Sequence, residues 1–104
     1  MNTPSRTIAI QIGNNSYDVK FPNVGELIDI DVMKLRITND KYESLKFSIN
    51  PRFIASAIQA EAIATFSVLI PKLREDLTVK SFLHLKVEEA QTLVKAYTDQ
   101  YLPW

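Results

Sequence analysis

The sequence contains no cysteine, only two glycines and a single histidine. Without thiols the chain has no disulfide bond, no thiolate metal site and no cysteine nucleophile, which is compatible with a reducing cytoplasm. Two isolated glycines, Gly13 and Gly25, cannot build a glycine-rich phosphate-binding loop. The nucleotide enzymes that depend on such a loop are therefore excluded.

The chain also lacks an excess of charge of either sign and a long hydrophobic run. Lys plus Arg and Asp plus Glu number 12 each, so no net field attracts nucleic acid or an anionic membrane. The most apolar stretch, residues 53–70, is interrupted by polar side chains such as Gln59 and Glu61. We expect no membrane span, no signal peptide and no nucleic-acid partner.

The composition is otherwise that of a globular protein, with 46% apolar and 23% charged residues. It predicts one domain over residues 1–104 with one modest core. Residues 1–6 are polar and contain Pro4, which indicates a flexible arm.

Two alternating segments predict an N-terminal β-hairpin over residues 7–21. Ile8, Ile10 and Ile12 share one face of the first strand, and Tyr17, Val19 and Phe21 share one face of the second. The segment GNNS between them favours a tight reversal. A lone hairpin is marginally stable, so helices from residues 23–104 must cover its apolar face.

The segment from Val24 to Ile37 fits two interpretations. Asn23 and Glu26 form a capping-box pattern at the start of a helix, whereas the alternation of Ile and Val with Asp favours a strand. We predict a helix because the cap, the length and the absence of a break agree. Its expected buried stripe contains Val24, Leu27, Ile28 and Leu35, with Ile30, Met33 and Ile37 beside it.

Further helices are predicted downstream. Residues 41–50 fit either an extended segment, with Leu45, Phe47 and Ile49 on the core, or a helical turn. Asn50 and Pro51 then predict a helix over residues 51–70, followed by a short one in PKLRED and a turn in TVKSFLHL with Phe82, Leu83 and Leu85 inward. A last helix begins near Val87, with Ala90, Leu93, Val94, Tyr97 and Tyr101 inward, and Pro103 ends it.

The helix at 51–70 is apolar around more than half of its circumference. One hairpin covers only one side, so the helix is either central to its own fold or shared with another chain. The C-terminal YLPW likewise either folds back on the hairpin and helices or docks on another protein. The predicted partner-binding residues are Phe53, Ala57, Ala60, Ala64, Val68, Tyr101 and Trp104.

Residues that suggest chemistry are few. His84 lies between two leucines without a ligand cluster near it. Asp29 and Asp31 share a face only in the strand interpretation, where they would form a possible metal pair. Glu61, within an apolar helix, favours a polar contact with a Lys or Arg over general-base catalysis. We therefore predict no catalytic residue, no cofactor and no metal site.

Three segments carry a family resemblance: SYDVKFPNVGELIDIDVMKLRI, ATFSVLIPKLREDL and AQTLVKAYTDQYLPW. Together they resemble small proteins encoded in the structural-gene region of tailed bacteriophages, and the layout Y-x-V-x-F-P-x-V-G followed by helices resembles tail assembly chaperones. The resemblance implies structural roles for Phe21, Pro22, Val24 and Gly25. It also implies a partner among phage structural or assembly proteins, such as the tape measure protein, which these chaperones coat as homo-oligomers.

The sequence thus predicts an α+β fold, a two-stranded antiparallel hairpin packed on three to four α-helices. The expected function is non-catalytic tail assembly in the cytoplasm of the bacterial host. The alternative is a permanent minor virion protein, such as a head–tail adaptor or capsid-associated protein, located in the virion. An apolar helical surface suits either role, because helix-in-groove contacts cover an aggregation-prone partner.

Overall fold

The computed structural model describes residues 7–76 and 85–104. In these residues an antiparallel hairpin precedes a set of helices, which confirms the α+β class. The elements are β1 (Thr7–Ile12), β2 (Asn15–Lys20), α1 (Val24–Ile37), α2 (Tyr42–Lys46), α3 (Pro51–Leu69), α4 (Leu73–Asp76), α5 (Val87–Ala96) and a π-helical turn (Tyr97–Tyr101). The predicted arm at residues 1–6 lies outside the described residues.

The hairpin is confirmed, with a shorter turn than GNNS. Ile12 pairs with Asn15, so the reversal consists of Gly13 and Asn14 alone. Gly13 has a φ of 61°, which glycine adopts without steric cost and which a type II′ turn requires at its first position. The short turn fixes the strand register.

Most of the residues predicted on the inward face of the hairpin are buried. Ile10, Ile12, Tyr17 and Val19 are buried in the core. Phe21 was predicted on the same face but lies beyond the end of β2 and keeps 48% of its surface exposed. This apolar face rests on the helical part of the chain.

Helix α1 begins at the predicted cap. The amide of Glu26 donates to Asn23 Oδ1 at 2.8 Å, and the amide of Asn23 donates to Glu26 Oε1 at 3.1 Å. The helix interpretation of this segment is therefore confirmed. Asn39 and Asp40, both with positive φ, reverse the chain after its end.

The predicted buried face of α1 is wrong. Its side chains at Val24, Leu27, Ile28 and Leu35 are exposed, whereas Ile30 is buried and Met33 and Ile37 are half-buried. The physical reason is Asp31, which lies one turn after Leu27 and two turns after Val24, on the stripe that was predicted to face the core. Burying that stripe would bury a carboxylate, so α1 is turned with Ile30 toward the core and Asp31 toward solvent.

Helix α2 decides the open question at residues 41–50 in favour of a helical turn. Tyr42 is its buried residue, and Leu45 is half-buried. The alternative with Phe47 and Ile49 on the core is wrong, because these side chains are 77% and 100% exposed. Tyr42, the first residue of α2, is therefore the residue of this helix that is buried.

Helix α3 is the central element. It starts as predicted, with the amide of Arg52 donating to Asn50 Oδ1 at 3.0 Å and Pro51 in the first turn. Helices α1, α2 and α5 pack against it, and every residue from Ala62 to Phe66 is buried. By length and composition alone α3 could cross a membrane, but core helices share these properties.

Helix α4 confirms the short helix predicted in PKLRED. The predicted turn in TVKSFLHL falls mainly on residues 77–84, so Phe82, Leu83 and His84 lie outside the described residues. Leu85 is half-buried and packs against the core, as expected.

The last helix has the predicted inward stripe. Ala90, Leu93 and Tyr97 are buried, and Val94 and Tyr101 pack partly against the core. After Ala96 the helix widens into the π-helical turn, in which the amide of Leu102 donates to the carbonyl oxygen of Tyr97 at 2.9 Å.

The C-terminal residues fold back on the hairpin, the first of the two predicted alternatives for YLPW. The Trp104 ring packs edge-on against Phe21, with 5.2 Å between centroids, and against Tyr101 at 6.1 Å. Tyr101 stacks on Tyr97, and both contact the buried ring of Phe66. These rings form a continuous contact from the core to the end of β2.

Candidate functional site

Five large apolar side chains on α1 are exposed, more than on any other element in the described residues. These side chains, here called the α1 face, are Val24, Leu27, Ile28, Val32 and Leu35, with exposed fractions of 73%, 46%, 57%, 49% and 40%. Their spacing of three and four residues places them on one side of the helix. The opposite side holds Ile30 against α3. The fold therefore fixes α1 in place while it leaves this face uncovered.

An ion pair connects the α1 face with the packed side of the helix. Lys34 Nζ lies 2.9 Å from Asp31 Oδ1, and the Asp31 side chain is 73% exposed while that of Lys34 is 17% exposed. The same ammonium lies 4.8 Å from the centroid of the Tyr42 ring. Lys34 thus extends from the packed side of α1 toward solvent, and Asp31 is the one acidic group among the apolar side chains.

A second group of exposed apolar side chains surrounds the start of α3. Phe47, Ile49 and Phe53 are 77%, 100% and 48% exposed, and they lie within seven consecutive residues. Exposed apolar patches of this kind mark interaction sites more often than isolated side chains do. This group adds two aromatic rings to the surface that a partner can contact.

The residues predicted to bind a partner fall into different environments. Ala57, Ala60 and Ala64 are 1%, 2% and 0% exposed, so the chain itself already covers them. Phe53 is exposed, and Val68, Tyr101 and Trp104 are half-buried. At its three alanines, therefore, α3 is core in this fold, and their role as a partner contact stays a prediction that would require the domain to open.

The α1 face itself was missed by sequence reasoning, which assigned most of its residues to the core. The signal that could have found it is Asp31, at a spacing of four from Leu27 and seven from Val24. An uncompensated carboxylate in a stripe argues that the stripe faces water.

Glu61 makes the kind of polar contact predicted for it. Its carboxylate lies 3.9 Å from Lys46 Nζ, which links α3 to α2. The nearby Tyr42 is buried, and this burial together with the charge of Glu61 raises the pKa of Tyr42 above its ordinary value. Burial, with a smaller contribution from the charge of Glu61, also raises the pKa of Tyr97 to about 12. Glu61 on α3 thus lies close to side chains of α2 and of the π-helical turn.

Tyr17 connects the hairpin to α4. Its hydroxyl donates to Asp76 Oδ2 at 2.7 Å. Burial, together with the hydrogen bond and the negative charge of Asp76, raises the pKa of Tyr17 to about 12. The neutral phenol is therefore the form that this contact stabilises.

Residues capable of metal or acid–base chemistry are dispersed. Residues 7–76 and 85–104 contain no group of three or more His, Cys, Asp or Glu side chains placed to hold a metal ion. Asp29 and Asp31 lie on a helix, so the strand geometry that would pair them is not present. A cleft of about 440 Å³ between α3 and α5 is lined by Ala55, Ser56, Gln59, Val87, Gln91, Val94, Lys95 and Thr98, and thus by neither Asp31 nor Glu61.

Comparison of the chain with protein-family models, with curated proteins and with solved structures finds no match in any of the three.

Proposed function

We propose that this protein is a non-catalytic assembly protein that binds an apolar helical segment of another protein through the α1 face. In its specific form the proposal is a tail assembly chaperone that acts on the tape measure protein in the cytoplasm of a phage-infected bacterium. The observation that carries the binding role is the exposure of five apolar side chains on a helix whose other side is anchored in the core. The phage setting rests on the resemblance of the three quoted segments.

The anchoring of α1 supports a binding role. The capping box at Asn23 and Glu26 fixes the start of the helix, and its inner side, with Ile30 buried, packs against α3. A surface that is already ordered loses little conformational freedom when it binds. The α1 face is therefore prepared to receive a helix in the manner of a helix-in-groove contact.

The strength of such binding suits a chaperone that must later release its client. Fully burying one Leu or Ile side chain contributes about 1.5–3 kcal/mol, so covering five half-exposed ones contributes roughly 4–7 kcal/mol. Association itself costs about 4–15 kcal/mol in lost translational and rotational freedom. Binding through the α1 face alone is thus weak and reversible, and it becomes strong only where several copies bind one long client.

Co-expression with the tape measure protein from the same genome tests the proposal. The wild-type chain should keep this protein soluble and co-purify with it. Leu27→Lys and Ile28→Lys should each reduce the recovered complex about tenfold or more, because a bound partner would have to cover a charge. Asp29→Asn is the control for net charge: it removes one negative charge and so raises the net charge of α1 by one, as each Lys variant does, at an exposed position outside the α1 face, and it should leave recovery unchanged.

Mass spectrometry of purified virions separates this role from that of a permanent virion component. A chaperone should be absent from the particles and present in the infected cell. A fixed copy number in the particles would contradict the chaperone role. If the tape measure protein stays insoluble with the wild-type chain present, the proposed client is wrong.

A further inference from the structure

The two outer edges of the hairpin differ in their hydrogen bonding to the rest of the chain. On the outer edge of β1, the amide of Gln11 donates to Gln100 Oε1 at 2.7 Å, and Gln100 Nε2 donates to the carbonyl oxygen of Gln11 at 2.8 Å. The side-chain amide of Gln100 therefore binds this edge as a neighbouring strand would. A further strand cannot pair at this point of β1 without displacing it.

Within residues 7–76 and 85–104, no segment pairs with the outer edge of β2. Because the peptide groups of Gln11 point away from β2, its partner in the register, Ser16, also directs its peptide groups away from β1. By the two-residue period of a strand, Asp18 and Lys20 do the same. All three residues are exposed, and in the described part of the chain none of them makes a hydrogen bond on that side.

We propose that two copies of this protein pair through this edge, β2 against β2, antiparallel, with Val19 of one copy opposite Val19 of the other. In this register Asp18 lies directly opposite the second copy's Lys20, and Lys20 lies opposite the second copy's Asp18. Both pairs are of the hydrogen-bonded type, so each exchanges two backbone hydrogen bonds. The result is a continuous four-stranded sheet across a two-fold axis.

Charge complementarity selects this partner and this register. A lysine on an edge strand disfavours pairing with a foreign strand, but here the strand itself supplies an acidic residue two positions earlier. Shifting the axis to Asp18 would place two aspartates opposite each other, which is destabilising. The Val19 axis also places Tyr17 opposite the half-exposed Phe21 of the second copy.

The stability of the hairpin gives a further reason for pairing. A two-stranded ribbon is marginal in water, and sheets of three or more strands are favoured. Within one chain only β1 pairs with β2 in the described residues. Self-pairing widens the sheet without using any residue of the α1 face, so the inference stands independently of the proposed function.

Sedimentation equilibrium on the full-length protein tests the inference by charge reversal. The wild-type chain should form a dimer. Asp18→Lys and Lys20→Asp should each weaken dimerisation about tenfold to hundredfold, because each replaces two opposite-charge pairs by two like-charge pairs. The double variant, Asp18→Lys with Lys20→Asp, restores both pairs in reversed order and should dimerise as the wild type does.

Mixing the two single variants gives a second test that is independent of folding. The Asp18→Lys chain has two basic side chains on this edge and the Lys20→Asp chain has two acidic ones, so the mixture should form a heterodimer while each alone stays monomeric. Hydrogen exchange of the backbone amides of Asp18 and Lys20 with solvent should slow as the protein concentration increases, because pairing places these amides in hydrogen bonds. A monomeric wild type at millimolar concentration, or single variants that dimerise like the wild type, would overturn the inference.

The α1 variant Ile28→Lys is the control that separates the two proposals. It should retain the dimer while losing the client. If Ile28→Lys abolishes the dimer and the charge-reversed variants keep it, the copies associate through the α1 face and β2 pairing is wrong.

Discussion

The side chain of Gln100 forms two hydrogen bonds with the backbone of Gln11, a residue 89 positions earlier in the chain. This contact ties the end of the helical part to the outer edge of the hairpin. It satisfies a backbone donor and a backbone acceptor that an edge strand otherwise presents to solvent.

Replacing Gln100 with Ala should expose this edge. We expect the amide of Gln11 to exchange faster with solvent, and the protein to lose about 1–2 kcal/mol, since two hydrogen bonds are removed together. Hydrogen exchange measured by NMR checks the first effect and urea unfolding the second. Gln91→Ala, at an exposed position on α5, should change neither.

A charged substitution at Ala64 tests whether this part of α3 belongs to the core or to an interface. Ala64→Arg should unfold the chain or destabilise it by about 3 kcal/mol or more, because a charge replaces a methyl group that is 0% exposed. Ala55→Arg, on the exposed side of the same helix, should alter stability by no more than about 0.5 kcal/mol. Circular dichroism and urea unfolding compare the two. A folded Ala64→Arg protein that has lost only a partner would establish the interface alternative.

Alkaline pH should destabilise the fold through its buried tyrosines. The pKa of Tyr17 rises from 10.0 to about 12 on folding, so between these values the unfolded chain releases its proton first. The contribution of Tyr17 to the free energy of unfolding should therefore be constant below pH 10 and fall as the pH rises toward 12.

Tyr17→Phe should remove part of that fall. At pH 8 it should cost about 0.5–1.5 kcal/mol for the lost hydrogen bond to Asp76, yet its stability should depend less steeply on pH between 10 and 12. Urea midpoints measured at intervals across this range provide the comparison. Parallel pH profiles for the variant and the wild type would contradict the role assigned to Tyr17.

Trp104 is the only tryptophan, so its fluorescence reports on the packing of the C-terminal residues. Phe21→Ala should shift its emission to longer wavelength, since the indole loses the ring 5.2 Å away and gains water contact. Phe47→Ala removes a ring that is 77% exposed at the end of α2 and should leave the emission unchanged. Equal shifts in both variants would mean that Trp104 does not pack against Phe21.

Local signals were sufficient for most of the fold. Gly13 marks the hairpin turn, Asn23 with Glu26 marks the start of α1, and Asn50 with Pro51 marks the start of α3. Each signal acts through hydrogen bonds or backbone angles within a few residues. The local sequence is therefore enough to predict where these elements begin or reverse.

Features that depend on distant residues were not predictable in the same way. Asp31 interrupts the apolar stripe of α1 and is a local sign of the rotation of this helix, but the packing of α1 against α3 determines that Ile30 is the buried side chain. No residue near Gln100 indicates its contact with Gln11. The π-helical turn at Tyr97–Tyr101 also has no local marker, and it coincides with the packing of two tyrosines on Phe66.

The two sides of α1 should consequently evolve at different rates. Ile30 is held by close packing, whereas Val24 and Ile28 touch little of their own chain, and exchange among apolar side chains there leaves the interior unchanged. A lineage that encounters an altered binding target can therefore adjust these positions one at a time without first acquiring compensating substitutions in α3. Changes of binding target should therefore be accommodated mainly on this helix surface, while positions such as Ile30 change more slowly.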